Sequence, residues 1–167
     1  MKAGWVCAAA MALAVAGCSN GQEKDANSDL AADRMAIENV MHDYVRGLDS
    51  GDMDLYLATL ADEAEFHAED VDYNGKQAIA DYVAPVMKLR RESLQSGTGM
   101  GASHHIVTNQ ALRFIDGEHA VMRSYWMFAT KGRDDAAVAI SLMGSSEDRF
   151  VKRDGKWLIS DRRVETL

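Results

Sequence analysis

Met41 to Asp52 reads MHDYVRGLDSGD. Around its front half Ile37, Val40, Met41, Tyr44, Val45 and Leu48 recur at helical spacing, which predicts an amphipathic helix over Leu30 to Leu48. Asp29 or Asp33 can cap its start. Gly51 stands where a helix exit favours a left-handed residue, and Asp52 is a natural N-cap for a second helix over Met53 to Leu60. The stretch therefore reads as helix, sharp turn, helix.

Further on, Ala64 to Ala68 reads as a brief strand and Asn74-Gly75 as a turn. Lys76 to Gln95 reads as a third helix, with Ile79, Tyr82, Val83, Val86 and Leu89 as its apolar stripe. Pro85 falls inside it; an interior proline costs about 3 kcal/mol, which predicts a kink or break. Ser96 to Gly101 is glycine-rich and reads as a flexible loop. It lacks the Lys-Ser/Thr of a phosphate cradle and leads into a strand rather than a helix. After it the period changes. His104 to Ile115, His119 to Lys131, Ala137 to Lys152 and Lys156 to Glu165 read as long strands, with Asp116-Gly117 and Asp154-Gly155 as hairpin turns. Helices followed by an antiparallel meander give an α+β class, with the N-terminal helices wrapped on one face of a curved antiparallel sheet. One domain, residues 29 to 167, without internal repeats, accounts for this pattern.

The N-terminus has a different character. Lys2 and the apolar run Trp5 to Ala16 have the layout of a secretory signal, too short for an ordinary membrane span. Both cysteines, Cys7 and Cys18, lie in this region, so the domain itself has no disulfide, thiol nucleophile or thiolate ligand. Residues Ser19 to Ser28 are polar and read as a flexible tether. Without Lys2 the balance is 17 basic against 26 acidic residues, which argues against nucleic acid and anionic lipid surfaces as partners.

Tyr44 lies in the middle of the first helix's apolar stripe, where a phenol needs a buried partner or a wet pocket. Asp49, five residues on, sits about 140° around an ideal helix from it. The two can meet in one cavity only if the helix ends at Ser50-Gly51. A proton donor and a carboxylate are one reading; a core tyrosine and a turn-shaping aspartate are the other. His104 and His105, adjacent on a strand, face opposite ways and cannot jointly hold a metal, and no metal site is expected. Parity leaves open which faces inward, since Ile106, Leu112 and Phe114 follow His104 while Val107 and Ile115 follow His105. His42 and His67 have no comparable support, and His119 reads as a hairpin-end surface residue. Met122, Tyr125, Trp126, Met127, Phe128 and Met143 would line the sheet, some inward, as an adaptable apolar wall or simply as core.

Several phrases, in order, resemble the SnoaL-like branch of the nuclear transport factor 2-like superfamily. They are Tyr44-x4-Asp49-x2-Asp52, Phe66 after ADEAE, Gly75-Lys-Gln-Ala-Ile79, His105-x3-Asn109 and Asp116-Gly-x-x-Ala120, closing with Asp148-Arg-Phe-x-x-x-Asp154-Gly-Lys-Trp157-x-Ile159-x-x-Arg162. The resemblance implies a cone: a curved sheet wrapped by helices around a pocket. Relatives include polyketide cyclases, scytalone dehydratase, bile-acid dehydratases and ketosteroid isomerases, beside many proteins without demonstrated activity, so fold alone does not settle function. It favours His105 over His104 as the inward histidine. It implies Tyr44, Asp49 and His105 as catalytic candidates, with Asn109, Tyr125, Met127 and Met143 as candidates for substrate contact. The chain departs from relatives in offering Tyr125 where a second acid/base group is found, and Ser146 where a tyrosine precedes the Asp-Arg pair. The implied chemistry is proton transfer on an apolar small molecule without a cofactor, as in a dehydratase, isomerase or cyclase. A ligand-binding or dimerising module without turnover, two copies pairing through the sheet, is the competing expectation.

Val15-Ala16-Gly17-Cys18 resembles the bacterial lipobox. That implies a lipoprotein signal peptide over residues 1 to 17, diacylglycerol on Cys18, and a tether over residues 18 to 28. The domain is then expected to be anchored in the cell envelope, facing the periplasm, with Ser19 fitting the outer membrane.

Overall fold

In a computed structural model of the chain, residues 20–97, 102–131 and 137–167 are described. The signal segment, Cys18 and most of the glycine-rich loop lie outside them. The order is α1 (Asn20–Ser50), α2 (Met53–Ala58), β1 (Leu60–Ala68), β2 (Val71–Asn74), α3 (Lys76–Ser96), β3 (Ala102–Phe114), β4 (His119–Lys131), β5 (Val138–Arg153) and β6 (Lys156–Thr166). The strands form one curved, unclosed six-stranded sheet in the order β2-β1-β6-β5-β4-β3. The predicted α+β architecture is what the structure has. One expectation needs correcting: the sheet is not wholly antiparallel, because β1 returns to pair in parallel with β6.

The core forms between one face of this sheet and the three helices. Ile37, Met41 and Tyr44 of α1 bury the predicted stripe against Tyr56, Leu60, Met122, Phe150, Trp157 and Ile159. At about 25 cal/mol per Å² of apolar surface, these residues supply most of the drive to fold. The exit of α1 is as predicted. Gly51 has φ 72°, and a β-carbon there would lie 2.5 Å from the Met87 carbonyl oxygen, so only glycine fits. Asp52 caps α2 by accepting from the Leu55 amide at 3.0 Å.

Elsewhere the structure departs from the sequence reading. The helix of α1 begins at Asn20, inside the stretch read as a tether, so neither Asp29 nor Asp33 is its cap. Asp33 instead accepts hydrogen bonds from Lys152 Nζ at 2.7 Å and Trp157 Nε1 at 2.8 Å, tying α1 to the hairpin end of the central strands β5 and β6. β2 went unseen in the sequence, being four residues long and mostly exposed. α3 runs unbroken through Pro85, which lies on its exposed side, where the carbonyl that loses its partner can meet water. Its buried face is Ile79, Ala80, Val83, Met87 and Arg90, so the stripe is rotated from the predicted one and Leu89 is exposed.

Burial alone would raise the Asp33 carboxyl, but the hydrogen bonds from Lys152 and Trp157 outweigh it and hold it below the ordinary 3.8. A depressed carboxylate adds stability above its unfolded pKa and loses it as pH falls through the folded value. Asp33→Ala is expected to destabilise the fold by about 2 kcal/mol, the loss of hydrogen bonds to a charged group. In urea melts from pH 7 down to pH 2.5, the variant should also lose less stability on acidification than the parent; a parallel acid limb would count against this role.

Candidate active site

A cavity of about 260 Å³ opens between α1, α3 and the inner face of the sheet. Its walls are mostly apolar: Val45, Leu48, Phe66, Tyr82, Val86 and Trp126 contribute. Besides the Tyr82 phenol, three polar side chains line it: Tyr44, His105 and Arg162.

His105 faces inward, packed against Phe128 with ring centroids 4.7 Å apart and the rings tilted by 42°, and His104 faces out. The parity conflict left by the sequence is resolved by Asn109. This residue has φ 53°, a left-handed conformation that asparagine tolerates. At it three residues of β3 span two of β4, since Thr108 pairs with Tyr125 and Ala111 with Arg123. The bulge reverses the alternation, so His105 and Val107 face the cavity before it while Leu112 and Phe114 join the core after it. Asn109 therefore shapes β3 and does not line the cavity.

Asp49 stands behind His105 rather than in the cavity. Its Oδ1 lies 2.7 Å from His105 Nδ1, and its carboxylate accepts the His105 main-chain amide at 3.0 Å. Its other oxygen is also 3.5 Å from His104 Nδ1, so both imidazoles approach the carboxylate from opposite faces of the strand. Arg90, which sequence reading missed, locks this corner. It donates from Nε to the Asp49 carbonyl at 2.6 Å and from its terminal nitrogens to Ser103 Oγ and the Ser103 carbonyl. The available signal was its place one turn beyond Met87 and two beyond Val83, on the buried stripe. A carboxylate accepting from Nδ1 fixes the tautomer and leaves the Nε2 lone pair free.

Tyr44 is buried as predicted and accepts a hydrogen bond from the Tyr56 hydroxyl at 3.3 Å. Burial, then the neighbouring Tyr44, pushes the Tyr56 phenol well above its ordinary range, so it stays a donor. The Tyr44 hydroxyl hydrogen is thereby left for the cavity. Over the Tyr44 ring, 4.7 Å from its centroid, lies the Arg162 guanidinium.

Arg162 is the site residue that reading function from the sequence missed; it figured only as the end of a fold phrase. It forms a buried ion pair with Asp148 through Nη1 and Oδ1. Burial works against the guanidinium's charge, but Asp148 and the two tyrosines more than offset it and raise its pKa. Burial pushes the Asp148 carboxyl up, with Arg162 and the Ser146 hydroxyl pulling it back. Ser146 in turn shares a hydrogen bond with Ser124, 2.9 Å apart. The Arg162 Nε is buried and has no hydrogen-bond partner.

Tyr125, Met127 and Met143 do not reach the cavity. Met127 pairs with Met143 and Ile106, and Tyr125 with Thr108, on the outer face of the sheet. Tyr125 is 56% and Met143 48% exposed there. The inward residues of β4 are the even ones, Met122, Ser124 and Trp126. His119 is at the surface as expected, held 2.9 Å from Asp116 in the hairpin.

A SnoaL-like domain model matches residues 29–163. The chain belongs to that family. Among solved structures, the domain resembles an NTF2-like protein with a cystatin-like fold from Novosphingobium aromaticivorans, 16% identical, with TM-score 0.74 over 90% of this chain and 92% of that one. It also resembles the hexachlorocyclohexane dehydrochlorinase LinA-type3 from Novosphingobium barchaimii LL02, 20% identical, with TM-score 0.67 over 84% and 90%. A third is a single-residue variant of Rv3472, a protein of unknown function from Mycobacterium tuberculosis, 19% identical, with TM-score 0.67 over 81% and 77%. At these identities the likeness concerns the fold. No curated protein matches the chain by sequence.

If Asp49 sets the His105 tautomer, long-range 1H–15N spectra at neutral pH should show Nδ1 protonated and Nε2 bare. In Asp49→Asn the signals should move to a tautomer mixture. An unchanged Nδ1–H signature in that variant would mean that some other group orients the ring.

Proposed function

We propose that the cavity catalyses proton abstraction from an apolar small molecule, with elimination as the reaction class. The observation that carries this reading is the Asp49–His105 pair, which leaves Nε2 unpaired on an imidazole that lines an apolar cavity together with Tyr44 and Arg162. In an elimination, His105 Nε2 takes the proton from a carbon, and the C–H electron pair becomes the new carbon–carbon double bond. The leaving group departs from the neighbouring carbon with its own bonding pair. Asp49 steadies the imidazolium that forms. The Tyr44 hydroxyl donates to the charge developing on the leaving oxygen or halide, or on an adjacent carbonyl, and the positive charge of Arg162 in the cavity wall stabilises it. Every group in this scheme is supplied by the chain, so it calls for no cofactor. The fold neighbour named as a hexachlorocyclohexane dehydrochlorinase supports elimination over isomerisation, and the dehydratases of the family point the same way.

The test is a panel of β-hydroxy carbonyl compounds and polychlorinated cycloalkanes, read by product mass and by halide release. For a compound turned over, His105→Ala should lower kcat/KM by about 10³-fold, and Tyr44→Phe by a smaller factor. Solvent deuterium should appear at the abstracted position if proton return competes. A compound processed equally well by His105→Ala would rule out this mechanism.

We propose in addition that the protein is held on the envelope by lipid on Cys18. The support is the Val15-Ala16-Gly17-Cys18 sequence, which lies outside the described residues. Several acyl chains, each contributing about 0.8 kcal/mol per buried CH₂, anchor a protein stably. Cells fed [3H]palmitate should label the wild-type protein and not Cys18→Ser; equal labelling, or none, would remove the anchor.

A further inference from the structure

The outer face of β1 and β6 carries a cluster of ionisable groups that the cavity does not use. Along β1, Ala64 and Phe66 are buried on the cavity side, and Glu65 and His67 alternate onto the other face. Parallel pairing sets Glu65 beside Asp161 and His67 beside Arg163. His67 Nε2 lies 3.3 Å from Glu65 Oε2 and 3.8 Å from Asp161 Oδ1. The three donor atoms all fall within 4.8 Å of one another, and among the described residues this is the one grouping of its kind.

Two further observations show what the cluster lacks. Asp161 Oδ1 is buried and has no hydrogen-bond partner, although the other oxygen of the same carboxylate takes Arg163 Nη2 at 3.0 Å. His67 Nδ1 lies 2.6 Å from Asp72 Oδ1. A carboxylate on Nδ1 holds the proton there and turns the Nε2 lone pair the other way, toward Glu65 and Asp161; imidazoles that bind metal are commonly held so from behind. A doubly protonated His67 would satisfy Asp72 and Glu65. It would leave Asp161 Oδ1 orphaned, and it would set an N–H against the Arg163 Nη2 group that stands 3.3 Å from Nε2. With Nε2 bare, Arg163 Nη2 reaches it at 3.3 Å and Asp161 Oδ2 at 3.0 Å, yet Asp161 Oδ1 still has no partner, which leaves positive charge wanting among the three acceptors. Arg163 supplies part of that charge from a half-exposed position, with room to swing into solvent.

We propose that Glu65, His67 and Asp161 bind a divalent transition-metal ion, Zn²⁺ being the best match, with Arg163 as the displaceable occupant. Tetrahedral bonds of about 2.1 Å set donors about 3.4 Å apart, against 3.3 and 3.8 Å from His67 Nε2 to the Glu65 and Asp161 oxygens. One imidazole nitrogen with two carboxylate oxygens suits zinc, cobalt or manganese rather than magnesium or calcium. The exposed side of Glu65 leaves the remaining coordination to water. The ion would clip β1 to β6, and this role is independent of the cavity's chemistry.

The experiment is calorimetric titration of ZnCl₂ into tag-free protein in a non-chelating buffer, with thermal melts in parallel. The parent should bind one equivalent at the cluster with micromolar or tighter Kd and melt several degrees higher with zinc. His67→Ala and Asp161→Asn should lose that equivalent or bind at least tenfold more weakly. Arg163→Ala should bind several-fold more tightly, because the competing cation is gone; a purely structural salt-bridge network would give no such gain. Circular dichroism checks each fold, and Glu65→Gln, at an exposed position, replaces any variant that fails to fold. No binding by the parent at 100 µM zinc, an equivalent that survives in His67→Ala, or weaker binding by Arg163→Ala would each overturn the proposal.

Discussion

A charge pair shut away from water sits against the cavity: Arg162 from β6 and Asp148 from β5, both buried. Such a pair is costly to assemble, and removing one partner strands the other. The surroundings are arranged to hold both. Ser146 donates to Asp148, Ser124 extends the chain, and the Tyr44 ring covers the guanidinium face. A buried guanidinium keeps its proton throughout the neutral range, so the cavity has a permanent positive pole next to apolar walls. That pole gives the pocket a direction. His105 lines the same cavity at a second point, and in the proposed reaction a substrate lying between them would be polarised from base to pole.

The strand parity that places these groups is where sequence reading failed, and the cause is physical. A strand presents alternate residues to one face only while its register is unbroken. Here β3 gains a residue at Asn109, and β6 gains one between Ile159 and Asp161. The second bulge is what brings Arg162 to the same face as Trp157 and Ile159, three residues on rather than two. Simple alternation counted back from Leu112 would put His104 in the cavity, and counted forward from Ile159 it would put Asp161 there. Neither bulge had a glycine to announce it. The methionine-rich run of β4 misled in a similar way: Met127 and Tyr125 are as apolar as the core, yet they lie on the outer face.

What was legible were the features set by local chemistry. The MHDYVRGLDSGD stretch makes its turn because Gly51 alone tolerates the approach of the Met87 carbonyl and Asp52 caps the next helix. Asp154-Gly155 makes the tight hairpin expected of it, whereas Asp116-Gly117 lies in a four-residue loop between β3 and β4. Tyr44 and Asp49 emerged as a pair of a different kind from the one expected. Tyr44 belongs to the cavity, and Asp49 belongs to His105, joined to it through ring and main chain together. One carboxylate thus holds both the start of β3 and the His105 ring. Arg90 closes the same corner from α3, so three elements meet at the residue that positions the histidine.

β6 connects the two halves of this picture. Arg162 points into the cavity, while its neighbours Asp161 and Arg163 lie on the opposite face beside Glu65 and His67. The parallel partner β1 alternates likewise, with Phe66 in the cavity wall and His67 outside. The register that aligns the outer cluster is therefore the same register that sets Phe66 beside Arg162 within. Because a one-residue slip exchanges every side chain between faces, whatever holds Glu65, His67 and Asp161 together on the outside also holds the guanidinium in place on the inside. A cation on the outer face would act on the cavity in this way alone, by fixing register, without touching the reacting molecule.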